Sequence, residues 1–380
     1  MLQLLIILIS TKVAGDISVR LGQPAVLGNL ISGIIIGPAV FNFVQEAEFI
    51  RVFSEIGVLL LMFIAGLETN LGELNKNLKS SISVAIGGVI LPYFGGFFVG
   101  EYFFDMSIEN SMFLGLLFSA TSVSISVQVL KELGQLNSRE SVTILGAAIA
   151  DDIIVVVLLA MLMGFLTHTE TSVSMVLGKK VLFFAVITFL GWKVLPKFMY
   201  LFARLKVGEP VITAALIGCF SFAYFAECLG VAGIIGSFAA GLSICQTRFK
   251  HLVEKKIEPI AEAVFVPVFL VSVGLVVSFE GVGNHIGFIV ALSLISIFAK
   301  LIGCGFGARI TGFNLKSSIQ IGAAMVSRGE VALILAILGR ESGLLDKDLF
   351  TSVIIVIMIT TLVTPPLLKV LFEKKEEALN

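Results

Sequence analysis

"AAIADDIIVVVLL", residues 147–159, decides how this chain is read. Two adjacent aspartates stand inside an apolar run from about Val142 to Leu166. That run is roughly long enough to cross a bilayer. A membrane helix carries two carboxylates near its middle only if something compensates them.

The composition around the run has the same character. The 380 residues are 57% hydrophobic and 14% charged, against about a quarter charged in soluble domains. Apolar stretches of bilayer length recur from end to end, which predicts an all-α polytopic membrane protein. The stretches are continuous rather than alternating, which argues against a β-barrel. A net charge of −1 offers no basic surface for nucleic acid. Cys219, Cys228, Cys245 and Cys304 lie in apolar segments without metal spacing and read as small core residues. The first residues lack the basic region and cleavage site of a signal peptide and read as a retained span.

Thirteen spans are predicted: 2–21, 24–41, 53–72, 80–104, 110–133, 140–167, 174–201, 209–227, 229–247, 257–279, 285–311, 316–341 and 348–372. The chain stops after "LFEKKEEALN", so no soluble regulatory domain is expected. Loops on the C-terminal side hold 17 Lys and Arg; the opposite loops hold 5, namely Arg51, Lys179, Lys180, Arg340 and Lys347. The positive-inside rule then puts the C-terminus in the cytoplasm and the N-terminus outside.

Four basic residues remain inside spans. Lys12 and Lys193 reach span ends and can snorkel; Lys300 and Arg328 are deep. Together with Asp151, Asp152 and Glu330 they make five costly charges, worth roughly 12–17 kcal/mol if unpaired. Pairing two cations with three anions leaves one carboxylate over, and such a group must take a cation or a proton. Adjacent helical residues point about 100° apart. One aspartate can therefore face Lys300 while its neighbour faces a cavity. Arg328 and Glu330 do not face each other in an intact helix; they pair only if the helix breaks at Gly329, or else brace separate elements.

Two spans carry polar, small-residue interruptions: "FSATSVSISV", residues 118–127, and "AAMVSRGEVA", residues 323–332. They lie seven spans apart and so run in opposite directions. That is the pattern of inverted repeats whose discontinuous helices meet at the membrane midplane. Spans four to six then correspond to spans eleven to thirteen, and all five costly charges fall within this pair.

Several stretches resemble a known family: "RLGQPAVLGNLISGIIIGPAV" (20–40), "LLLMFIAGLET" (59–69), "SATSVSISVQVLKELG" (119–134) and "ILGAAIADDI" (144–153). "LGVAGIIGSFAAGL" (229–242), "FVPVFLVSVGL" (265–275), "IFAKLIG" (297–303) and "SRGEVALI" (327–334) follow. Along its whole length the chain resembles bacterial sodium/proton antiporters of the cation:proton antiporter-2 family, NapA type. The resemblance implies an ion-binding core, here 80–167 and 285–372, with two crossing discontinuous helices. The remaining helices, 1–72 and 174–279, would form the scaffold, linker and dimerisation part of a homodimer in the bacterial cell membrane.

By position, Asp152 resembles the ion- and proton-binding carboxylate and Asp151 the partner of Lys300. Thr121 and Ser122 fall at the first helix break, Arg328 and Glu330 at the second. A double aspartate resembles the electrogenic members, which exchange two protons for one sodium. No cofactor is implied beyond the transported Na⁺ and H⁺, with Li⁺ and K⁺ as alternative cargo. Membrane lipid, protons and monovalent cations are the expected partners. A potassium/proton or potassium-efflux transporter of the same family is the nearest alternative. An intramembrane aspartyl protease needs its aspartates on different helices, and a cation channel usually shows a carbonyl filter motif; neither is present.

Glu227 reads as an interfacial charge, with a cavity-lining role as its alternative, and Glu68 and Glu73 as solvated loop charges, with an entry-funnel role as theirs. His168, His251 and His285 are scattered near span ends and suggest no metal site.

Overall fold

Long apolar runs punctuated by Pro, Gly and Asn dictate helices that end at those residues, and the computed structural model is helical throughout. It describes residues 1–45, 47–167, 173–277 and 285–372, and among these there is no strand. Helices α1 (Leu2–Arg20), α2 (Ala25–Ile36), α3 (Glu48–Glu68), α4 (Leu71–Lys76) and α5 (Leu78–Phe98) form the first part. Next come α6 (Ile108–Ser119), α7 (Val123–Glu132), α8 (Arg139–Thr167), α9 (Val173–Phe189) and α10 (Leu195–Phe202). The middle holds α11 (Pro210–Cys228), α12 (Gly233–Ile244), α13 (Lys250–Ile260) and α14 (Val266–Leu275). The last part is α15 (Ile286–Ile310), α16 (Leu315–Ala324), α17 (Glu330–Glu341) and α18 (Lys347–Phe372). Single π-helical turns extend α5 (Val99–Phe103), join α9 to α10 (Leu190–Val194) and join α13 to α14 (Ala261–Phe265).

Ten described helical segments are long and apolar enough to cross a membrane. The expected count of thirteen is not reproduced at that length. The segments at 24–41 and 229–247 fold as the 12-residue helices α2 and α12, about 18 Å long against a core of about 30 Å. Pro24 precedes α2 and Gly37 ends it, while the turn at Gly230 takes φ +66 before α12. The segment at 316–341 is split into α16 and α17. The segment predicted from 257 begins earlier, at Lys250, because Lys255 and Lys256 lie on the helix rather than in a loop.

α5, α6, α8 and α15 to α18 pack mainly on one another, while α1, α2, α3, α11, α12 and α14 form a second packing set. α5 and α15, the first helices of the proposed repeats, touch backbone to backbone. A Cβ on Gly87 would lie 2.2 Å from Gly303 O, and one on Gly303 would lie 2.2 Å from Gly87 O. The contact is reciprocal, as an approximate two-fold relation between the two helices requires. Outward rows such as Ile82, Ile86, Ile90 and Phe94 on α5 are exposed. Their spacing of four makes one apolar stripe, suited to lipid. Cys219 and Cys304 are buried as expected, but Cys228 is exposed and Cys245 half-buried, a correction to their reading as core residues.

Candidate functional site

The site forms where two helices break. Span five splits into α6 and α7, and residues between them are extended, with Ala120 at φ −62, ψ 143 and Ser122 at φ −106, ψ 109. Small hydroxyl residues favour such a break because their side chains compete for backbone partners. Span twelve splits into α16 and α17 across residues 325–329.

The two breaks satisfy each other. Ser122 N–H donates to Ser327 O at 2.9 Å, and Ser327 Oγ donates to Ser122 O. Ser126 Oγ donates to Ala324 O at 2.5 Å. Arg328 Nη1 donates to Ala120 O at 2.7 Å, and Thr361 Oγ1 on α18 donates to Arg328 O. Backbone groups freed in a membrane need partners of this kind. Gly329 lets the chains approach, since a Cβ there would lie 2.5 Å from Ser122 Oγ. The helix does break at Gly329, which is the N-cap of α17. Glu330 opens α17, and its side chain lies outside the described part of the structure.

Asp151 and Lys300 meet beside this crossing. Both are 0% exposed, and Lys300 Nζ stands 3.1 Å from Asp151 Oδ1. The ammonium also donates to Gly88 O at 2.8 Å and Ser119 O at 2.6 Å. Ser119 ends α6, so its carbonyl is one that the break releases, and a cation suits a helix C-terminus. Three acceptors match the three donors of an ammonium.

Asp152 points elsewhere, as its helical offset requires. It is half-buried and lines a cavity of about 10 Å³ with Met62, Val123, Ala148, Ile234 and Phe238. That space is close to one water. The wall joins α8 to α3, α7 and α12, so Asp152 faces the boundary between the two packing sets. Thr121 and Ser122 are buried two residues and one residue before Val123 of that wall.

Several buried polar atoms around the crossing have no protein partner: Asp151 Oδ2, Thr121 Oγ1, and Arg328 Nε and Nη2. Such atoms in a buried site point to water or an ion as a missing partner. Arg328 is fully buried, 5.1 Å from the Phe118 ring centroid.

Besides Lys255 and Lys256, which lie on α13, two further basic residues expected in loops turn inward. Lys180, assigned to an outer loop, sits on α9 at 4% exposure. Its ammonium donates to Gly230 O and lies within electrostatic reach of Asp152. The internal balance of two cations against three anions therefore omitted a third cation. Nothing local marked it, because "GKKV" at 178–181 looks like a loop end. Lys131, also assigned to a loop, is 11% exposed, with Glu68, Glu258 and Glu262 around it. Glu68 is accordingly not the solvated charge expected; Glu73 pairs with Lys76 at the surface and Glu227 is exposed. In sequence Ser327 is only one residue of the second break, yet it holds both breaks together. His168, Lys374 and Lys375 lie outside the described residues.

Comparison with known proteins agrees with this architecture. The family described as sodium/hydrogen exchanger, transmembrane, matches residues 4–374. A Na⁺/H⁺-K⁺ antiporter of Bacillus cereus, GerN, is 58% identical over all of this chain and 97% of its own length. A Na⁺/H⁺ antiporter of Enterococcus hirae is 40% identical over 98% of this chain and 97% of its own. Among solved structures, the antiporter MjNhaP1 of Methanocaldococcus jannaschii shares the fold at a TM-score of 0.68 and 16% identity. It covers 96% of this chain and 94% of its own.

Proposed function

The chain belongs to the sodium/hydrogen exchanger transmembrane family, and we propose on that premise that it exchanges Na⁺ for H⁺ by alternating access, with Asp151 and Asp152 as its ion-carrying pair. It is a multi-pass membrane transporter and not an enzyme. The observation that carries the reading is the crossing of two broken helices beside adjacent carboxylates, one paired with Lys300 and one facing a cavity.

Asp152 takes either a proton or a cation, so the two compete for one carboxylate. A hard cation prefers oxygen ligands, and Asp152, the hydroxyls of Thr121 and Ser122, and carbonyls of the break offer them. Asp151 releases Lys300 when protonated, which supplies a second transported proton and makes the exchange electrogenic. The two steps form one coupled titration. Arg328 and Glu330 balance charge at the second break.

The core of the exchanger is 80–167 with 285–372, and the remaining helices are scaffold and linker. The working form is a homodimer in the bacterial cell membrane, N-terminus outside and C-terminus cytoplasmic. The 17-to-5 distribution of loop charge supports that orientation; the burial of Lys180 and Lys131 lowers both counts by one without changing its sense.

K⁺ is a second counter-ion in this reading, on the single ground that the relative at 58% identity is described as a Na⁺/H⁺-K⁺ antiporter. The test is reconstitution in liposomes with a pH-sensitive dye, titrating Na⁺, Li⁺ and K⁺ with and without a clamped membrane potential. Flux that depends on Na⁺ and on the potential is expected. Absence of any cation-dependent proton flux would sink the assignment.

A further inference from the structure

We propose that Lys131 and Glu132, at the end of α7, form a latch that ties the broken-helix unit to the surrounding helices and biases which face Asp152 opens to. The proposal rests on the alternating-access reading above.

α7 is the second half of the first broken helix. Its first residue, Val123, lines the Asp152 cavity. Its last two residues reach α2, α3, α13 and the π-helical turn after α13. Lys131 Nζ lies 2.7 Å from Glu258 Oε1, 2.9 Å from Glu262 Oε1 and 4.0 Å from Glu68 Oε1. Glu258 is on α13, Glu262 on the π-helical turn that follows, and Glu68 ends α3. Glu132 Oε2 accepts from Ala25 N–H at 2.9 Å, and the Val26 amide reaches the same carboxylate.

The second contact fills a local deficit. α2 starts after Pro24, which provides no side-chain cap, and a helix N-terminus has unpaired amides and a partial positive charge. Glu132, over a hundred residues away, supplies the missing carboxylate. Consecutive helical residues point about 100° apart, so one short segment can grip α2 on one side and α13 on the other.

The contact is half-buried and borders open space. A cavity of about 650 Å³ runs alongside, lined by Lys12, Asn29 and Gln128 as well as the latch residues. α7 itself is buried against α2, α3 and α18, so the ion pairs add a polar tie at the rim of an apolar contact. Removing the ammonium also makes the cluster repulsive, since carboxylate oxygens of Glu68, Glu254 and Glu258 lie within 4.8 Å of one another. One side chain thus supplies the ionic hold of α7 on α3 and α13.

A latch shifts populations, and a shift changes apparent affinity on the two faces in opposite senses. The test is Lys131→Met in oriented proteoliposomes, with half-saturation for Na⁺ measured from each face. Opposite shifts of roughly threefold or more are expected, and Lys131→Arg should restore the starting values. A fall in maximal rate with unchanged half-saturation on both faces, or no change, overturns the latch.

A second readout does not need transport. Ile149→Cys, on the cavity wall, is labelled with a membrane-impermeant maleimide after Cys228→Ser and Cys245→Ser. Adding Lys131→Met should change the labelling rate by roughly threefold or more, and an unchanged rate overturns the proposal. A changed rate in a protein without cation-dependent flux would keep the latch and remove the transport reading. Glu132→Ala is the alternative variant if gel filtration shows Lys131→Met to be misfolded.

Discussion

Ser122 and Ser327, 205 residues apart in the chain, exchange two hydrogen bonds across the crossing: the Ser122 amide to the Ser327 carbonyl, and the Ser327 hydroxyl to the Ser122 carbonyl. Neither break is stable alone, because each leaves backbone groups without helical partners in a region that excludes bulk water. The active geometry is therefore a joint product of both repeats.

Ser327→Ala removes the hydroxyl half of that exchange and leaves a buried carbonyl short of a donor. The expected cost is about 1–3 kcal/mol, read as a lower melting temperature in detergent. Gly329→Ala should be at least as damaging, since its Cβ would meet Ser122 Oγ at 2.5 Å. A melting temperature unchanged in both variants would show that the crossing is not held this way.

Asp152→Asn should abolish Na⁺-dependent proton flux in liposomes while leaving the melting temperature close to that of the unmodified protein. Asp152 lines a cavity and its neighbour makes the lysine contact, so the loss would be functional. Normal exchange in this variant would exclude Asp152 as the carrier.

Lys300→Ala leaves Asp151 buried without its cation. Breaking a buried pair from one side costs about 3–5 kcal/mol. The double variant Lys300→Gln with Asp151→Asn removes both charges and should be the more stable of the two. Thermal unfolding of the pair checks this, and the opposite ranking would contradict it.

Lys180→Met takes a positive charge out of the field of Asp152. Apparent Na⁺ affinity at alkaline pH should rise roughly fivefold, on the order of 1 kcal/mol. A cation titration of dye-reported flux measures it. An unchanged or weaker affinity would mean that Lys180 serves only the Gly230 carbonyl.

Gly87→Ala should cost about 1–3 kcal/mol by forcing α5 from α15. The same change at Gly134, where nothing lies within 4 Å but φ is +64, should cost about 1 kcal/mol through backbone strain alone. Melting temperatures of the two variants should keep that order.

The sequence made the helical architecture legible because a bilayer imposes long apolar runs, and it made the breaks legible because "ATS" and "SRG" interrupt such runs. The divergence of Asp151 and Asp152 followed from helical geometry alone. Lys131 and Lys180 were misread for a common reason. A lysine near a span end looks the same whether it snorkels to water or turns inward, and only the partner decides. For Lys131 the partners are glutamates on α3, α13 and the turn beyond it; for Lys180 the partner is a carbonyl in a tight turn. Helix length was legible only where Pro and Gly were weighed against hydropathy, so α2 and α12 were drawn too long.

Lys300 has one further consequence for how the carrier resets. Two of its three acceptors, the carbonyls of Gly88 and Ser119, cannot be protonated near neutral pH and belong to α5 and the end of α6. Neutralising Asp151 therefore dissolves the ionic contact without casting the ammonium adrift. On the proposed cycle the lysine would keep these two carbonyl contacts, and the carboxylate would be discharged and recharged against a stationary counter-charge.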